Sequence, residues 1–236
     1  MQFQALKTEL VSPGDDLCAI LDRAVPNLQE RDCLAVTSKI VSLCEGRVVP
    51  KTMCKKALIR QEAEKYVEGK NTFFTIKEGM IIPAAGIDES NIPDGYLLYP
   101  KNPFHSATAI WTHLRNRHQI EHLGIIITDS RTEPFRTGVT GISIGWCGFE
   151  PVDNCIGRTD LYGRVFKITK RNLVDGIAST AVLLMGEADE QTPLVRVRDC
   201  HSLKFVSRPP TQEEIDSFRL PPHADLYGEL IQKLFH

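Results

Sequence analysis

A chain of 236 residues, 42% of them hydrophobic, can bury a sizeable core as one large domain or two interleaved ones. Its 30 acidic and 28 basic residues are intermixed and leave a formal charge of −2, so no basic field points to nucleic acid or an anionic membrane. Seven scattered cysteines without a Cys-x-x-Cys pair (Cys18, Cys33, Cys44, Cys54, Cys147, Cys155, Cys200) argue against a zinc or disulfide framework and for reduced thiols.

The start, Met1-Gln2-Phe3-Gln4, lacks the basic and apolar regions of a signal peptide, and no stretch is long enough to span a bilayer. The expected setting is cytoplasmic. After a short first strand, Ser12-Pro13-Gly14-Asp15-Asp16 is a turn capping a helix with Leu17, Ile20, Leu21 and Ala24 at helical spacing, and Pro26 ends it. Cys33-Leu34-Ala35-Val36 reads as a buried strand running into Thr37-Ser38-Lys39-Ile40-Val41-Ser42, whose hydroxyls and lysine make an anion-holding corner.

Residues 55–69 are polar and favour helix, and Phe73-Phe74-Thr75-Ile76, Gly79 and Met80-Ile81-Ile82 predict a hairpin. Residues 92–103 read as loop, 107–118 as an amphipathic helix, and the run Ile125-Ile126-Ile127-Thr128 as a strand ending at Asp129. His105, His113, His118 and His122 match no ligand spacing and read as solvated. Gly138, Gly141, Gly145 and Gly148 interrupt a β-like pattern, as expected where backbone approaches a ligand or another strand.

Asp160-Leu161-Tyr162-Gly163-Arg164 predicts a turn into a strand over 165–169, with Arg158 and Arg164 as ion-pair partners for Asp160. Asn172 caps a helix with Leu173, Ile177, Ala181 and Leu184 on one face, and the last clear strand covers 193–197. The proline-rich tail reads as an appendage over the core. Strands and helices mix without regular alternation, so the expected class is α+β, with mixed sheets and packed helices.

Three acidic stations carry the chemistry: Asp88, Asp129 and Glu187. Carboxylates beside small residues at element ends can meet in one cleft, where like charges are costly unless a cation lies between them. Taken alone, Asp88 with Asn91 is better explained by turn hydrogen bonds, and Asp129-Ser130 equally by capping. Glu187 at a helix C-terminus is less comfortable, because the dipole disfavours an anion there. Arg136, after Pro134-Phe135, is a candidate bidentate clamp for phosphate or carboxylate. No P-loop and no Gly-x-Gly-x-x-Gly between strand and helix occurs, so a nucleotide would bind outside the common folds.

Four blocks taken together resemble the coenzyme F-420-0:γ-glutamyl ligase family. They are Val36-Thr37-Ser38-Lys39-Ile40-Val41-Ser42 with Glu45-Gly46-Arg47, then Ala85-Gly86-Ile87-Asp88-Glu89-Ser90-Asn91, then Ile126-Ile127-Thr128-Asp129-Ser130, and last Asp160-Leu161-Tyr162-Gly163-Arg164 with Leu184-Met185-Gly186-Glu187. The resemblance spans about residues 12–198. It implies two intertwined subdomains forming one ligase unit over 1–198, and a homodimer; the tail, which it does not cover, is the expected C-terminal extension over 199–236 packing on that unit. It implies ATP or GTP as co-substrate and two divalent ions, Mg²⁺ or Mn²⁺. Asp88 and Asp129 would hold the first ion, Ser130 and Glu187 the second. Ser38, Lys39 and Asn91 would line the nucleotide, with Leu10 and Val11 in segment 8–11 and Met185, Gly186 and Gln191 in segment 185–192. Asp88, Asp129 and Arg136 are the expected catalytic residues. In such enzymes the acceptor carboxylate is phosphorylated and the acyl phosphate is attacked by the amine of L-glutamate.

Departures from the family pattern shape the substrate expectation. Leu43 stands where the family usually has a nucleotide-contacting lysine, and Ser130 replaces a threonine. Thr8-Glu9 replaces a Leu-Pro, Asn102-Pro103-Phe104 an Asp-Pro-Asp, and Arg131-Thr132-Glu133-Pro134 lacks a Gly-Arg pair. The combination of Asp129-Ser130-Arg131-Thr132-Glu133-Pro134 with Glu190-Gln191-Thr192-Pro193 looks more like the branch of this family assigned to folate metabolism. The expected acceptor is therefore a folate-type carboxylate, with F-420-0 as the alternative. A nucleotide-binding protein of the same fold without catalysis is the third reading.

Overall fold

The structure, a computed structural model, describes residues 1–92 and 94–235; Pro93, within the expected loop, and His236 lie outside the described residues. Strand β1 (Gln2–Leu6) leads to helix α1 (Leu17–Ala24), which starts where the Asp16 carboxylate accepts the Cys18 and Ala19 N–H groups and stops before Pro26. The apolar strand β2 (Cys33–Thr37) passes directly into helix α2 (Ser38–Cys44). After β3 (Val48–Val49), helix α3 (Lys55–Glu62) ends well short of the expected residue 69. Ala63 is extended, and β4 (Lys65–Glu68) uses Tyr66 and Val67 to pair with β5 (Phe73–Lys77), which pairs in turn with β6 (Met80–Pro83).

Within the expected loop, β7 (Tyr96–Leu97) pairs with β3. Helix α4 (Pro103–His118) begins four residues before the expected start, because Asn102 accepts the His105 N–H and Pro103 fits the first turn. Strand β8 (Gly124–Thr132) does not end at Asp129. It continues against β9 (Val139–Cys147), past a register shift between Ile127 and Thr128.

β10 (Val152–Asn154) pairs with β11 (Lys170–Asn172), while the expected strand at 165–169 is irregular apart from one bridge, Thr159 to Val165. Val165 and Ile168 are exposed there, so the apolar run has no surface to cover. Helix α5 (Leu173–Met185) is capped by Asn172 as expected, but buries Val174, Ile177, Ala178, Ala181, Val182 and Met185 and leaves Leu184 exposed. β12 (Leu194–Arg198), α6 (Gln212–Phe218) and α7 (Gly228–Leu234) complete the chain.

The central sheet has the order β1-β12-β2-β8-β9, with only the β2–β8 pair parallel. Mixed, mostly antiparallel pairing without regular strand–helix alternation makes the fold α+β. Alternate residues of β2 and β8 feed two cores. Leu34, Val36, Ile125 and Ile127 face Leu21, Ile110 and Leu114 of α1 and α4. Ala35 and Ile126 face Ile177 and Ala181 of α5. From the tail, Phe205, Ile215 and Phe218 pack on this second core, Phe218 with its ring 4.8 Å from that of Trp146. A third core, around Leu58, Ile59, Phe73, Ile87 and Leu98, supports the loop that carries Asp88. Every cysteine is a free thiol, and among the described residues no helix is long and apolar enough to cross a membrane.

Candidate functional site

The site follows from the parallel pair. Thr37 is registered against Thr128, so the next residues, Ser38 and Asp129, emerge side by side. Ser38 Oγ donates to Asp129 Oδ1 at 3.1 Å, and the Tyr99 hydroxyl donates to Oδ2. Asp129 keeps part of its surface open, yet the protein around it desolvates the carboxylate and lifts its pKa, outweighing the hydroxyl donors and the nearby Lys39 charge. The Tyr99 phenol is pushed well up by burial and by the Asp129 charge.

Strand alternation turns Ser130 the other way, where its Oγ lies 3.4 Å from Glu187 Oε2 just beyond α5. Gly186 makes that exit possible: its φ is +77°, and a Cβ there would lie 2.1 Å from the Glu190 carboxyl carbon. Glu190 in turn accepts the Ala188 N–H at 2.9 Å.

Asp88 sits in a tight loop and accepts the Glu89 and Ser90 N–H groups at 2.6 and 2.8 Å. Lys39 Nζ lies 2.5 Å from its other oxygen. Burial pushes the Asp88 carboxyl up, but the Lys39 ammonium and the backbone donors outweigh it, and the net shift is down. For Lys39, burial works against the charge, while Asp88 above all, then Asp129 and Glu187, raise the pKa overall. One ammonium thus serves three carboxylates.

A cavity of about 270 Å³ opens beside this cluster. Of the residues expected from sequence, Leu10, Val11, Lys39, Asn91, Asp129, Ser130, Met185, Gly186, Glu187 and Gln191 line it. Ser38 and Asp88 adjoin it through their bonds to Asp129 and Lys39. Leu43 forms part of the wall. Arg136 is not brought there; it is exposed in the β8–β9 turn, its N–H bonded to the Glu133 carbonyl at 3.2 Å. Arg131 is nearer in sequence to Asp129 and pairs with Glu133, leaving its buried Nε without a partner.

Among the described residues no three His, Cys, Asp or Glu side chains gather closely enough to hold an ion. The donor set of Asp88, Asp129, Ser130 and Glu187 is nevertheless all oxygen, the kind taken by hard divalent cations. Three carboxylates with one ammonium, and a raised Asp129, leave negative charge that such a cation would offset. The residues fit Mg²⁺ or Mn²⁺ in chemistry.

Away from the cavity, several polar residues differ from expectation. Arg158 pairs with Asp153 rather than Asp160, at 2.6 Å, and Arg171 joins the same carboxylate. Asp160 caps its own turn by accepting the Tyr162 and Arg164 N–H groups. His113 and His122 are half-buried against Asp22 and Glu30, each at 2.7 Å, and Nε2 of His118 is buried without a partner. Sequence reasoning missed Tyr99, whose only signal was the apolar run Tyr96-Leu97-Leu98-Tyr99 inside the expected loop.

The sequence profile of the family described as F420-0:Gamma-glutamyl ligase matches residues 5–199. A protein named Coenzyme F420:L-glutamate ligase from Methanopyrus kandleri is 38% identical over 209 positions, covering 80% of this chain and 82% of the relative. Proteins of the same name from Methanosarcina barkeri and Halorubrum lacusprofundi are each 34% identical. The first covers 92% of this chain and 94% of the relative, the second 80% and 83%.

Proposed function

The chain belongs to the F420-0:gamma-glutamyl ligase family, and on that premise we propose that it joins L-glutamate to the carboxylate of an F420-type acceptor, using ATP or GTP and a divalent metal. The observation that carries this reading is the convergence of Lys39, Asp129, Ser130 and Glu187 on one cavity. The names of the relatives support the F420-type acceptor over the folate-type one expected from residues 129–134 and 190–193.

A carboxylate does not condense with an amine in water until its oxygen becomes a leaving group. In the proposed sequence an acceptor oxygen attacks the terminal phosphorus of the nucleotide, and the nucleoside diphosphate leaves. The L-glutamate nitrogen then attacks the acyl carbon, phosphate departs with the bonding pair, and the nitrogen gives up a proton. The balance is one amide, one diphosphate nucleotide and one phosphate per turnover.

The nucleotide would lie against Leu10, Val11, Asn91, Met185, Gly186 and Gln191, with the Lys39 ammonium as the chain's own charge for its phosphates. Asp88, Asp129, Ser130 and Glu187 would hold Mg²⁺ or Mn²⁺, which supplies charge screening between phosphates and the incoming carboxylate. Ser38 holds Asp129 in place from the end of β2. Leu43 on the wall, in the family's lysine position, keeps ATP beside GTP as co-substrate.

The reading is tested by substrate omission. Nucleotide turnover should require acceptor and L-glutamate together; equal turnover with either one left out contradicts a ligase.

A further inference from the structure

Tyr99 is 3% exposed and lies between β7 and α4, outside the blocks that carry the family resemblance. Three contacts fix it. Its hydroxyl donates to Asp129 Oδ2. Its carbonyl accepts Arg47 Nε at 2.9 Å, and the Arg47 guanidinium is tied to Glu62 at 3.0 Å, which also holds Lys77 at 3.0 Å. Its ring lies against Gly86, where a Cβ would come within 2.3 Å of Tyr99 Cε1.

Gly86 is two residues before Asp88, and its φ of +71° belongs to the turn that carries Asp88. One side chain therefore touches two of the three acidic stations, Asp129 through its hydroxyl and the Asp88 turn through its ring. We propose that Tyr99 is a positioning residue that sets the placement of Asp88 and Asp129 relative to each other and so the divalent-metal affinity of the site. This rests on the reading of those carboxylates as metal ligands. With Ser38 on one oxygen and Tyr99 on the other, the carboxylate is held against rotation and keeps its remaining lone pairs for a cation. Arg47, itself held by Glu62 beside Lys77, anchors the backbone of Tyr99, so the wedge cannot withdraw without losing the Arg47 Nε bond to its carbonyl.

Tyr99→Phe removes the hydroxyl and keeps the ring. Mn²⁺ binding, followed by the loss of the free-ion electron paramagnetic resonance signal, is expected to weaken on the order of 10- to 100-fold, the scale for losing a group that orients a metal ligand. The melting temperature without metal should stay close to that of the wild type, which a purely structural role would lower. Arg47→Lys, which keeps the charge but loses the Nε contact to the Tyr99 carbonyl, should weaken Mn²⁺ binding in the same direction. Wild type that binds Mn²⁺ with Tyr99→Phe binding it equally overturns the inference alone. Wild type that binds no Mn²⁺ overturns the metal reading, and the inference with it.

Discussion

The Lys39 ammonium lies 2.5 Å from an Asp88 carboxylate oxygen, and the charges of Asp129 and Glu187 act on it as well. Lys39 is therefore the hub of the site's electrostatics, besides its proposed part in holding nucleotide phosphates. Without it, Asp88, Asp129 and Glu187 lose the one ammonium on which all three act.

Replacing Lys39 by Met should lower kcat/KM by about 100-fold or more, the scale for losing one preorganised charge-stabilising donor. Steady-state turnover at saturating Mg²⁺ checks this. A rate near wild type would show that the ammonium does not serve the phosphates.

Asp129→Asn should abolish turnover and leave the fold intact. Desolvation raises the Asp129 carboxyl, so the folded chain holds this proton more tightly than the unfolded chain. The stability from this group is complete below the ordinary carboxylate range and is lost as pH rises through the raised folded value. Near neutral pH without metal, the Asn variant should therefore melt at the same temperature as wild type or higher, and less so at low pH. Added Mg²⁺ should stabilise the wild type alone. Thermal melts with a chelator and with Mg²⁺, at acidic and neutral pH, separate these outcomes.

Gly86→Ala forces a side chain into a positive-φ turn and against the Tyr99 ring. The expected loss is about 1–3 kcal/mol, as for overpacking a well-filled site. Urea unfolding measures it, and a midpoint equal to wild type would mean that the ring moves aside freely.

Leu43→Lys places an amine on the cavity wall at a position 5% exposed. Preference should move toward GTP if the family's nucleotide contact is re-formed. An unchanged ATP/GTP ratio of kcat/KM values would place the nucleotide base elsewhere.

Much of the frame was legible because local signals agreed with the tertiary structure. Asp16 and Asn172 cap their helices, and the apolar runs at Cys33 and Ile125 form the two central strands. What escaped depends on contacts distant in sequence. β8 runs past Asp129 because β9 pairs with it, and 165–169 fails as a strand because its apolar residues find no partner surface. The acidic stations were joined through the family resemblance and not through any local pattern, since the parallel register that sets Ser38 beside Asp129 crosses 91 residues. Tyr99 was hidden for the same reason. Its role comes from Asp129 and Gly86 together, and neither is near it in a sequence pattern. Arg136 shows the converse, a suitable residue type that the β8–β9 turn carries into solvent.

The most direct test of the central claim is the product mass after incubating the protein with L-glutamate, Mg²⁺ or Mn²⁺, and ATP or GTP, with F420-0, dihydropteroate and a reduced folate as parallel acceptors. The expected result is a gain of one glutamyl unit on F420-0, with stoichiometric release of nucleoside diphosphate and phosphate. A gain on a folate-type acceptor alone would contradict the acceptor assignment, and no gain on any acceptor would contradict the ligase itself.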